Sequence, residues 1–149
     1  MKHTLTLVLC AFISLTGWAQ QKVNPSKDWQ FYAEKDGVRI ETRYTDCHIA
    51  SEGYHAQNIS IRLRNTTSVQ KTVRLYTDMY YNGKCSNCDH TQRDRLRQFE
   101  LKPNETIEGE CAVGLNNGLR VHVKWLDIPG QRVLDYLIIS DITVNSTAQ

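Results

Sequence analysis

The sequence predicts an all-β fold, a two-layer antiparallel sandwich of about seven strands with one further N-terminal hairpin strand. Apolar residues recur at every second position in several runs, the two-residue period of half-buried strands. Turn signals such as Asp36-Gly37, Asn65-Thr66-Thr67-Ser68 and Pro129-Gly130 separate those runs. No stretch of useful length carries apolar residues at helical spacing.

Residues 1–19 read as an export signal and are excluded from the fold. Lys2 and His3 precede an apolar run from Leu5 to Leu15, and the small residues Gly17 and Ala19 precede the expected cut after Ala19. The run is interrupted by Thr6 and Ser14 and is shorter than the roughly 20 apolar residues of a membrane span. No span is therefore expected once the signal is removed. A retained anchor, or a lipid-bearing Cys10, are the alternatives; bulky Leu9 and the apolar residues beyond Cys10 disfavour the latter.

Residues 20–28 form a polar leader, with Asn24-Pro25-Ser26 extended or mobile. The sandwich domain spans 29–145. Trp29 to Ala33 meets Val38 to Tyr44 across Asp36-Gly37, and Val38, Ile40, Thr42 and Tyr44 share one face. His55 to Asn65 alternates Ile59, Ile61 and Leu63 with outward Ser60, Arg62 and Arg64. Val73, Leu75, Thr77 and Met79 mark the next strand, which runs into Tyr80-Tyr81-Asn82-Gly83 and Cys85-Ser86-Asn87-Cys88. Arg95 to Leu101 follows, ended by Pro103, which has no N–H for a ladder. Thr106 to Val113 comes next, then Leu119, Val121, Val123 and Trp125 in alternation. A last strand from Val133 to Val144 places Leu134, Tyr136, Ile138, Ile142 and Val144 on one parity, and 146–149 is a tail.

Seven strands from Val38 onward, at this spacing, match an immunoglobulin-like or fibronectin III-like sandwich. Phe99-Glu100-Leu101-Lys102-Pro103-Asn104-Glu105-Thr106, followed by Gly109 and Cys111, resembles the Leu-x-Pro-x-Glu turn of immunoglobulin-like modules in bacterial surface proteins. With Gly17-Trp18-Ala19-Gln20 and the Tyr-Asn-Gly-x-Cys-x-x-Cys loop, the chain resembles small secreted proteins of the Bacteroidetes type, a group that implies no known activity. It departs from antibody domains in lacking their Cys-Trp-Cys core pattern, since Cys47 precedes the second sandwich strand.

Such a topology brings Cys47, Cys85, Cys88 and Cys111 toward one end of the sandwich, with His48, His55, His90 and His122 near it. In an exported chain, four cysteines are most simply two disulfides, for which three pairings exist. A local Cys85 to Cys88 bridge with Cys47 joined to Cys111 is preferred. The rival chemistries are a tetrahedral metal site on these four thiolates, with His48 or His90 as substitutes, and a thiol-redox role for Cys85 and Cys88. Only one closely spaced cysteine pair is present where a zinc ribbon has two, and no βαβ pattern surrounds it.

No catalytic residue is assigned and no cofactor is expected. The chain has no G-x-S-x-G elbow and no H-E-x-x-H, and Glu105, Glu108 and Glu110 read as a solvated turn and strand face. With 18 basic and 16 acidic residues the balance argues against a nucleic-acid surface. Weak candidates for binding are Tyr76, Tyr80 and Tyr81, and the outward Arg62, Arg64 and Arg74. The sequons at Asn58, Asn65, Asn104 and Asn145 matter only in a source that glycosylates them. The expectation is a secreted or periplasmic, non-enzymatic binding or structural module, with a protein or glycan at the cell surface as partner. The alternatives are a metal or thiol-redox module and an inhibitor or immunity-like protein.

Overall fold

The computed structural model describes residues 21–91, 95–112 and 118–146. Among the described residues nine antiparallel strands form two sheets: β1 Gln30–Lys35, β2 Val38–Ile49, β3 Tyr54–Asn65, β4 Lys71–Tyr81, β5 Lys84–Cys85, β6 Arg97–Leu101, β7 Thr106–Glu108, β8 Arg120–Trp125 and β9 Tyr136–Ser146. In the first sheet β1, β2 and β3 lie side by side, and β7 and β8 share the far edge of β3. In the second, β4 is central, with β9 on one edge and β5 and β6 along the other. A short 3-10 turn, Ala50–Glu52, joins β2 to β3.

Alternation explains the core. Val38 and Ile40 from β2, Ile59, Ile61 and Leu63 from β3, and Val73 and Leu75 from β4 interleave with Leu101, Val121 and Val123 in one buried cluster. The β1–β2 hairpin turns on Asp36 and Gly37, both at positive φ (46° and 78°), the conformation a two-residue hairpin needs to match strand twist. The leader is extended and tied down: Lys22 bridges Ile138 and Val23 is buried.

Three expectations need correcting. Trp125 does not share a face with Val121 and Val123, because the β3–β8 register shifts between Gln57 and Asn58 and turns Trp125 outward beside His122. In β9 the core residues are Leu137 and Ile139 before a second irregularity, and Ile142 and Val144 after it. Asp141 sits there at φ 47°, so the single parity expected for Leu134 to Val144 is broken midway. Finally, β7 stops at Glu108 instead of continuing to Val113, which lies outside the described residues; Gly109 leaves the strand to begin a crossing over the outer face of the sheet.

Candidate functional site

That crossing is pinned by a disulfide. Gly109 N–H donates to the Ile61 carbonyl at 3.0 Å, and Ile61 N–H donates to the Leu119 carbonyl at 2.8 Å. Both ends of the β7–β8 connection therefore meet one residue of β3. A side chain at 109 would place its Cβ 2.1 Å from the Leu119 carbonyl oxygen, so only glycine fits. From this edge the chain passes over β3 to Cys111, bonded to Cys47 on the outward face of β2 with Cα atoms 5.3 Å apart. Beneath the strap, outward-facing Ala56, Asn58 and Ser60 are fully buried.

Asn58 and Ser60 each find hydrogen-bond partners there. Asn58 Nδ2 donates to the Ala56 carbonyl, its Oδ1 accepts from the Tyr54 hydroxyl at 2.8 Å, and Ser60 Oγ donates to Thr45 Oγ1 at 2.9 Å. Tyr54, His122 and Trp125 close the end of this layer, with ring centroids 5.0 to 6.5 Å apart. Burial holds the His122 imidazole below its usual range, because the charged form loses water there.

A second segment covers the other sheet. Cys85 and Cys88, bonded with Cα atoms 5.8 Å apart, turn the chain after β5. Asn87 then replaces a strand at the edge of β4: its Oδ1 accepts Met79 N–H at 2.7 Å and its Nδ2 donates to the Thr77 carbonyl at 2.6 Å. His90 stacks on Tyr76 with centroids 4.1 Å apart. Its Nε2 lies 2.7 Å from Asp78 Oδ1 and its Nδ1 2.7 Å from Asp141 Oδ2, while Ser140 Oγ donates to the other Asp78 oxygen at 2.6 Å. The hydrogen bond to buried Asp78, joined by that to Asp141, raises the His90 pKa, and in its charged form the ring donates from both nitrogens. Ser140 is buried and bonded to a carboxylate, not to the imidazole, so the group ties the segment to its sheet and forms no nucleophile.

The end of the sandwich is closed by the β8–β9 connection, which touches both layers. Leu126 N–H donates to the His55 carbonyl, Asp135 N–H to the Tyr80 carbonyl, and Gly83 N–H to Asp135 Oδ2. The Gln131 side chain staples this loop, accepting Trp125 N–H and donating to the Trp125 and Ile128 carbonyls, each at 2.6 Å. The loop carries three of the five exposed large apolar residues of the described chain, Leu126, Ile128 and Val133. Sequence reading missed it; its signal is apolar residues beside Pro129-Gly130, where a turn is ordinarily polar.

The binding candidates do not assemble. Tyr76 is the platform for His90; Tyr80 stacks on Tyr136 at 4.3 Å, and Tyr81 lies under Arg132 at 4.1 Å. Arg62 and Arg64 lie on the first sheet and Arg74 on the second, so they form no common basic patch. Arg62 pairs with Glu108 at 2.9 Å and stacks on Trp29 at 3.8 Å, and Arg74 donates to Gln98 at 2.8 Å. The cysteines divide into two bonded pairs, one on the face of each sheet's covering segment, so a single site using all four thiolates is not formed. Among the described residues no three of His, Cys, Asp or Glu converge as metal ligands. No helix of the described chain is long and apolar enough to cross a membrane.

No family model matches the chain, and no match was found among curated proteins or solved structures. Fold and site define its class as a disulfide-linked, two-sheet antiparallel β domain with a covering segment over each sheet.

Proposed function

We propose that the chain is an exported binding module, working in an oxidising compartment outside the cell or in the periplasm, that engages another protein through its closed end. The observation that carries this reading is the Gln131-stapled loop displaying Leu126, Ile128 and Val133. Apolar side chains on a loop fastened in this way lose little freedom on binding, and Asp127, Arg132 and Asp135 lie beside them in sequence as polar neighbours. Two disulfides suit such a compartment. The domain is read as a variant of the immunoglobulin-like sandwich in which β9 pairs directly with β4 and β8 has joined β3; in the immunoglobulin arrangement the penultimate strand lies between those two. No catalytic role is proposed.

The test takes an exported protein recovered on the immobilised domain, purifies it and measures its affinity. Leu126→Ser with Ile128→Ser is expected to weaken binding at least about tenfold with the melting temperature unchanged. Equal affinity of the double variant rejects the reading, and Phe31→Ser, away from the loop, serves as the control.

A further inference from the structure

We propose that the cleft between β1 and β9 is a binding site for an extended segment of another polypeptide, which enters as an added strand antiparallel to β9. This site uses none of the residues of the closed end and stands independently of the reading above.

The outer edge of β9 already takes a strand over part of its length. Lys22 bridges Ile138 in antiparallel sense, and Val23 N–H donates to the Leu137 carbonyl at 2.8 Å. That pairing reaches Gln21, whose carbonyl accepts from the Tyr32 hydroxyl at 2.8 Å. Farther along, from Ser140 to Ser146, β9 pairs only with β4 among the described residues.

Facing this open edge is β1, the edge of the other sheet. Tyr32 meets Ile139 and Lys35 meets Ile142, so the two strands run parallel with a cleft of about 470 Å³ between them. Among the described residues, the Tyr32 and Lys35 side chains span it. The Tyr32 hydroxyl accepts Ile139 N–H at 3.1 Å, and Lys35 Nζ donates to the Ile142 carbonyl at 2.6 Å. The lysine amine stands where the N–H of a neighbouring strand would be. An unpaired edge continuous with an existing strand is a template for another. An occupant that continues the direction of Lys22 and Val23 lies antiparallel to both β9 and β1. Its main chain pairs with β9, and its alternate side chains are small or apolar where they meet Ala33 and Phe31, which is 55% exposed at the lip.

The experiment titrates the isotope-labelled protein beginning at Gln20 with the synthetic heptapeptide Thr-Val-Thr-Val-Thr-Val-Thr and follows amide hydrogen exchange by NMR. Exchange across Asp141 to Val144 is expected to slow at least about tenfold at saturation, and peptides N-methylated at alternate residues in either frame are expected to lose the effect in one frame. Lys35→Ala removes the amine that must be displaced, so the peptide binds about fivefold tighter; a mere surface contact would be unmoved. No protection at millimolar peptide, or equal protection by both N-methylated peptides, overturns the proposal. Protection of the same amides without peptide in a chain retaining residues 1–20 assigns the cleft to the protein's own N-terminal segment and overturns it as well.

Discussion

The two perturbed histidines pull stability in opposite directions with pH. His90 has a raised pKa because its charged ring is held by Asp78 and then Asp141. Its contribution is complete below the unfolded value of 6.5 and is lost as pH rises through the higher folded value. His122 is held neutral by burial, so its contribution is lost as pH falls from 6.5 toward its lower folded value. Urea titrations at a series of pH values are expected to show a loss of stability as pH rises from 6.5 that His90→Gln removes, and a loss as pH falls from 6.5 that His122→Gln reduces. Asn87 makes a separate contribution. Replacing it with Ala leaves Met79 N–H and the Thr77 carbonyl without their present partner, and a loss of about 1 to 3 kcal/mol is expected by chemical denaturation.

Among the elements, the two covering segments differ in how they are fastened. The Cys47–Cys111 bond closes a sequence separation of 64 residues and the Cys85–Cys88 bond one of 3. On the loop-entropy argument the first contributes about 4 kcal/mol and the second about 2 kcal/mol. Paired Cys→Ser variants are expected to fall in that order, with the longer bond's loss also raising hydrogen exchange along β3. Gly109→Ala brings a methyl against the Leu119 carbonyl and is expected to cost about 2 to 3 kcal/mol, read as a lower melting temperature. These segments also mark the limit of what the sequence discloses. The inward faces of strands such as Val38 to Tyr44 and Ile59 to Leu63 are legible because apolar residues recur at every second position. Trp125 and the first half of β9, where Leu137 and Ile139 face the core in place of Tyr136 and Ile138, are not, since an irregularity of one residue inverts the pattern without altering composition. Nor is the burial of Asn58, Ser60 and Asp78, whose covers are polar and irregular. The bonded pairing was legible as a preference, whereas Gly109 acquires its meaning only once Leu119 is seen beside it.

For the whole molecule, covering both sheets means that the outward Asn58 and Ser60 of β3 and Asp78 of β4 belong to the interior, and among the described residues the exposed large apolar side chains are those of the β8–β9 loop, Phe31 and Val69. An intact mass of the denatured, unreduced protein treated with alkylating agent is expected to show no alkylation of Cys47, Cys85, Cys88 or Cys111. Uptake at all four would reject the paired state. The long bond also sets how the domain responds to mechanical load. Pulled from its two termini with Cys47 and Cys111 joined, the chain can pay out only the residues outside that loop. Roughly 220 Å of contour, at about 3.4 Å per residue over the 64-residue separation, stays locked until the bond is reduced. A domain tethered in flow would therefore extend in two steps, the second under chemical rather than mechanical control.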